Sequence, residues 1–262
     1  MNMNALDSFL QMKFLAWLLA SARIAGIFTS APVFSAQAIP LSVRIFGFLS
    51  LAYLSLPTLN DVVWINTSVW MVVIWSLGNF LLGVLMGTVA SLALYAAMYA
   101  GEIFGIQMGF ALAQVFDPEM REETPLLGQI SFLLATYVFI ALKGHLMLYK
   151  TLLLSYEKIP VTAPINVADL AQEMTRRVAD IFSLGVQFGL PMIGFMLLVS
   201  LILGIMSRLI PQMNVFMIGL PLKTLAGIFM FAGLVGVWAD VYGEVILKFI
   251  MGLERLIGVL SP

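Results

Sequence analysis

The sequence predicts an all-α, multi-span integral membrane protein with broken and kinked helices, and three observations carry that expectation. Of 262 residues, 61% are hydrophobic and only 10% charged, whereas soluble domains carry about 25% charged residues. Mean hydropathy is +1.03. Several apolar runs are long enough to cross about 30 Å of hydrocarbon, which takes about 20 mostly apolar residues. Prolines and glycines recur within and between those runs, so the helices should break and bend rather than continue straight.

Composition also excludes whole classes of function. The 13 Lys and Arg balance 14 Asp and Glu, giving a net charge of -1, and they are spread singly. There is no basic surface for nucleic acid or anionic lipid, and membrane lipid is the solvent to expect. Cysteine is absent, which removes disulfides, thiolate metal sites and a thiol nucleophile. One His, at 145, cannot by itself make a polyhistidine metal site. With no Walker motif and no nucleophile–base pair either, neither an enzyme nor a bound metal or cofactor is expected.

The elements follow from runs and their punctuation. The first helix should cover about 14–31 and end where Pro32 forbids regular continuation. Lys13 before an apolar stretch and Ala36-Gln37-Ala38 have the form of a signal peptide and its cleavage site. Asp7 and Arg23 interrupt that pattern, so a membrane helix that stays is the simpler expectation. Pro32 and Pro40 bracket a non-helical connection. Arg44 then opens a short apolar piece, 45–56, closed by Pro57 and Asn60-Asp61. Residues 62–101 contain no charge, and as one helix would measure about 60 Å. Either this run folds back near Gly78-Asn79 or Gly83, or it is one long helix whose apolar flanks other protein covers.

The glycine-punctuated run 103–116 suits an irregular element, and 118–123 reads as a solvated turn. Pro125 starts a helix that ends at Lys143-Gly144-His145 and continues from 146 to 156. The polar stretch 157–180 contains a loop around Pro160 and Pro164. Asn166 and Asp169 then resemble a helix start, and Leu170, Met174, Val178 and Ile181 mark an amphipathic helix. Beyond it, 181–207 is apolar with a kink expected at Pro191. Pro211 and Pro221 suggest a bend over 209–222. A returning helix begins at 224 and extends to 260, with Glu244 and Lys248 in the favourable i,i+4 order.

Charges inside apolar runs need a partner, water or an interface. Arg44, Lys143, Arg208 and Lys223 lie at run edges, where snorkelling suffices. Arg23 and Glu102 are deeper, and contacts between helices or subunits suit them better than a proton path, because no acid cluster accompanies them. The 17 Met are mainly packing residues, but a few could line a deformable constriction. Met108, between Gly105 and Gly109, is the strongest of these.

Two stretches resemble the FliR family of flagellar export-gate subunits and its relatives in virulence type III secretion. One runs from Gly101-Glu102 through Gly105, Gln107-Met108-Gly109-Phe110 to Asp117-Pro118. The other is Arg208-Leu209-Ile210-Pro211-Gln212-Met213-Asn214-Val215-Phe216 with Gly219, Pro221 and Lys223. Arg23, Pro32, Pro40 and Arg44 fit the same family's N-terminal pattern. The resemblance implies a bacterial inner-membrane protein of the flagellum basal body. It would assemble with FliP and FliQ, with FlhB docking on the cytoplasmic side, to pass unfolded export substrates. It further implies a FliP-like part, 1–180, and a FliQ-like helical hairpin, 181–262.

In that resemblance, about 103–118 forms a pore plug. Gln107, Met108, Gly109, Phe110 and Phe116 would occlude the pore, and Gly101, Gly105, Asp117 and Pro118 would shape the loop. Arg208, Pro211, Gln212, Asn214, Phe216, Gly219, Pro221 and Lys223 would form an assembly loop, with Arg23, Arg44 and Glu102 as intramembrane or interface charges. A short core helix is the alternative for 103–116. Broken helices and isolated charges also allow a small-solute secondary transporter, although no inverted repeat is recognisable.

Overall fold

The computed structural model describes residues 3–34, 39–59, 68–110, 126–163, 167–210 and 215–259. Every regular element among them is helical. They are α1 (Met3–Ser30), α2 (Leu41–Ser55) with a 3-10 turn at Leu56–Thr58, and α3 (Val69–Gln107). Then come α4 (Leu126–Ala141), α5 (Gly144–Lys158), α6 (Val167–Leu209) and α7 (Val215–Val259). Among the described residues, five stretches are long and apolar enough to cross a membrane: Met12–Ser30, Leu41–Thr58, Val69–Gln107, Ala171–Leu209 and Met217–Gly258. A sixth span is available if the α4 and α5 pair, bent by 64°, acts as one.

Several breaks fall where the sequence puts them. The turn after α1 holds Pro32, and Pro40 precedes α2 with φ -56°. Between α4 and α5, Lys143 adopts the left-handed conformation, φ 57°. Of the two courses open to the uncharged run, the structure takes the long helix: α3 has 39 residues and does not fold back at Asn79 or Gly83. Pro191 lies inside the single helix α6, which also runs through position 180/181. The bend expected over 209–222 differs. Pro221 lies within α7, which begins at Val215 rather than 224. Its missing N–H removes one backbone bond, a loss that a membrane helix with neighbours tolerates.

The chain separates into two compact units. The first comprises Met1–Leu92, Lys143–Val178 and Ile246–Pro262; the second Ala93–Leu142 and Ala179–Val245. In the first, Leu19 and Ile24 of α1, Leu82, Leu85 and Met86 of α3, Leu152 of α5 and Leu253 of α7 are buried. Here α1 and α3 touch backbone to backbone, since a Cβ on Gly83 would run into the Arg23 carbonyl and one on Gly26 into Phe80 O. Lipid is as apolar as the helix surfaces, so such close approach, not hydrophobic burial, is what holds membrane helices together.

The second unit is organised around aromatic rings. Phe104 of α3 stacks on Trp238 of α7 with centroids 4.8 Å apart and planes 9° from parallel. The Trp238 Nε1 donates to Phe188 O on α6 at 3.3 Å, and Phe188 meets Tyr242 edge-on at 5.0 Å. Offset and edge-on ring pairs add to plain area burial, and the donated indole N–H removes the one polar liability of a buried Trp.

Candidate functional site

Two places combine chemistry with a defined geometry: a polar cluster around Arg23 in the first unit, and the C-terminal end of α3 in the second.

Arg23 is fully buried. Its Nε and Nη2 both donate to Asn79 Oδ1, at 3.0 and 2.7 Å. Nη1 donates to Ser155 O and Ser155 Oγ, each at 2.9 Å, and Nη2 also reaches Ile159 O at 3.0 Å. A guanidinium has five N–H donors, and these bonds use all of them. Every one of these acceptors is neutral. The charge is met by carbonyls at the C-terminal end of α5, the negative end of that helix dipole, and by the Tyr156 ring 4.7 Å from Cζ, a cation–π contact. Tyr156 in turn donates to Ala20 O at 3.0 Å. Asn79 Nδ2 donates to Trp75 O and Val161 O at 2.8 and 2.7 Å. Residues of α1, α3 and α5 are thus tied by one buried side chain.

The end of α3 is built differently. Residues 103–107, placed by sequence at the start of an irregular run, are its last helical residues. Gly101 lies inside the helix and serves a close approach: a Cβ there would run into Leu127 O and lie 2.8 Å from Gly128 Cα on α4. The amide of Met108 still bonds Phe104 O at 2.9 Å, and that of Gly109 bonds Ile106 O at 3.1 Å. Gly109 then takes φ 91°, a left-handed conformation that glycine reaches without Cβ strain and that commonly ends helices.

Around that turn the side chains diverge. Ile106 and Gln107 are exposed, Gly109 and Phe110 half-buried. Met108 is fully buried, against Gly227 of α7, where a Cβ would come 2.7 Å from its Sδ. The Thr224 hydroxyl donates to Met108 O at 3.0 Å. The remaining candidate residues scatter. Glu102 is half-buried, and Arg44 is half-buried with Nε donating to Ile39 O at 3.1 Å. Gly105 and Gly219 are buried, Arg208 and Pro221 exposed, and Lys223 half-buried. Phe116, Asp117, Pro118, Pro211, Gln212 and Asn214 lie outside the described residues, as does the side chain of Phe216.

Sequence reasoning missed the partners. Asn79 carried a signal, being a polar residue in the middle of an uncharged run, although the sequence marked it only as one place where that run could fold back. Ser155, Tyr156, Thr224 and Gly227 are ordinary residues of apolar helices and carried none.

A chain whose described residues are all-helical and hold five or six candidate spans is a multi-pass integral membrane protein. The model of bacterial export proteins, family 1, matches residues 14–249, and the chain belongs to that family. It is 31% identical over 216 residues to flagellar biosynthetic protein FliR of Escherichia coli (strain K12), covering 81% of each chain. It is 30% identical over 213 residues to the protein of that name from Bacillus subtilis (strain 168), covering 80% of this chain and 82% of the other. With FliR of Aquifex aeolicus (strain VF5) it shares 31% over 213 residues, 80% of this chain and 81% of the other. The protein is a component of the flagellar export apparatus and a multi-pass protein of the bacterial inner membrane.

Proposed function

We propose that this chain is a core, non-enzymatic subunit of the export gate and forms part of the pore through which unfolded export substrates leave the cytoplasm. Residues of about 103–118 plug that pore, with Gln107, Met108, Gly109, Phe110 and Phe116 as the occluding set. FliP and FliQ assemble around the chain and FlhB docks on it, with 1–180 taking the FliP-like and 181–262 the FliQ-like part.

One observation carries the assembly: α6 is longer and more widely apolar than lipid requires. Exposed apolar side chains run along it from Phe182 to Leu209, about 40 Å at 1.5 Å per residue, against about 30 Å of hydrocarbon. Tilting absorbs part of such an excess, and neighbouring subunits cover the rest. The plug reading draws its support from the exposed Ile106 and the sharp turn at Gly109, because an apolar constriction excludes ions yet deforms around a polypeptide.

Two experiments test this. Native mass spectrometry of the protein purified with its neighbours is expected to give one hetero-oligomer holding several FliP and FliQ copies, and a lone monomer would defeat the proposal. Deleting residues 108–116 should leave that complex assembled but permeable to ions. Wild-type conductance from the assembled deletion complex would remove the plug assignment.

A further inference from the structure

We propose that Thr224, Gly227 and Leu220 are positioning residues that latch the Met108–Gly109 end of α3 to α7, and that the latch must release for a polypeptide to pass. The proposal rests on the plug reading above, since it concerns the root of that segment.

Three contacts form the latch. The Thr224 hydroxyl donates to Met108 O at 3.0 Å. The fully buried Met108 side chain fills the space left by the missing Cβ of Gly227, which would come 2.7 Å from both Sδ and Cε. Leu220 covers Gly109, where a Cβ would meet Leu220 Cδ2 at 2.7 Å. The carbonyl, the side chain and the turn that follow the last helical residue of α3 are therefore each held by a different residue of one α7 face, at positions 220, 224 and 227.

The contacts are also built to let go. A hydroxyl has a single proton, and Thr224 Oγ1 lies 3.0 Å from Leu220 O as well as from Met108 O. When Met108 O leaves, that proton stays bonded within α7, so release strands no buried donor. Methionine is unbranched and adaptable, and the glycine it rests on has no side chain to interlock with it. One neutral hydrogen bond and two side-chain contacts make a weak hold, as an element that opens in each cycle requires.

The chain contains no cysteine, which gives a clean test in the assembled complex. Met108→Cys combined with Gly227→Cys is expected to cross-link on oxidation and stop export of an unfolded flagellar substrate, and reduction should restore it. Undiminished export through the cross-linked complex would overturn the proposal, and failure of the pair to cross-link would refute the contact itself. In parallel, Thr224→Val should raise ion leak roughly five- to tenfold, the share of one hydrogen bond in the closed population, while Thr224→Ser should leak no more than the wild type. An assembled Thr224→Val complex as tight as the wild type also counts against the latch. The 108–116 deletion separates the two ideas. If it leaks while the latch variants do nothing, the plug stands and the latch falls; if it does not leak, the plug reading fails and takes the latch with it.

Discussion

Replacing Arg23 with Leu is expected to destabilise the protein by about 2–5 kcal/mol, and the structure says where that comes from. The substitution leaves Asn79 Oδ1 and Ile159 O without the guanidinium, whereas Ser155 O keeps the Ile159 amide at 2.9 Å. Two stranded buried acceptors cost about 1–3 kcal/mol each. Part of this is offset, because a buried charge without a carboxylate partner is itself expensive to desolvate. Arg23→Lys keeps the charge but presents three donors from a single point in place of the planar fork, so it should still cost about 2 kcal/mol.

The decisive measurement is a double-mutant cycle, read from unfolding of the detergent-solubilised protein. Asn79→Leu alone should also destabilise, since it removes the acceptor of two Arg23 bonds and the donor to Trp75 O and Val161 O. The Arg23→Leu/Asn79→Leu pair should fall short of the sum of the singles by about 2 kcal/mol, well within the range for groups in direct contact. Additivity within about 0.5 kcal/mol would show that the two side chains act independently, and the account of this cluster would be wrong.

Two further perturbations probe the backbone. Gly83→Ala should cost about 3 kcal/mol, because the new Cβ meets the Arg23 carbonyl and forces α1 from α3. Gly194→Ala on α6, with open space around it, should leave the unfolding temperature the same or slightly raised, and equal behaviour of the two variants would dismiss the helix crossing as a constraint. At the exposed Lys143, φ 57°, substitution by Gly should raise stability by about 1 kcal/mol by removing the left-handed strain of an L-residue. Lys143→Ala should give no such gain in the same thermal measurement; a matching gain would identify the charge, not the backbone, as the cause.

Much of the fold was legible before the structure, for a physical reason. In lipid every backbone group must be satisfied within its own helix, so an apolar run is a helix and a proline at its edge is an end. Pro32, Pro40 and Lys143-Gly144 all mark observed breaks on that logic. The same logic overreached at Pro221, because a membrane helix with neighbours tolerates the one backbone bond that proline removes, and at Gly78-Asn79 it left open a fold-back in place of which the structure has one continuous helix. Composition could not distinguish a flexible Gly101 from a Gly101 that lets α4 approach, because both uses want the missing side chain.

The candidate site was legible only in outline. The sequence singled out Arg23 as a deep charge and Met108 as an unusual residue beside glycines. It did not say that Arg23 would be met by Asn79 and Ser155, 56 and 132 residues away, or that Met108 would be covered by Gly227. By itself, then, the sequence determined the solvent of this protein, its helical class and most of its break points, since these depend on local composition and on backbone hydrogen bonds that close within a few residues. Tertiary structure alone decided which polar groups neutralise the buried charge and which helix holds the end of α3, because those contacts join distant segments through residues that are unremarkable in their own neighbourhoods.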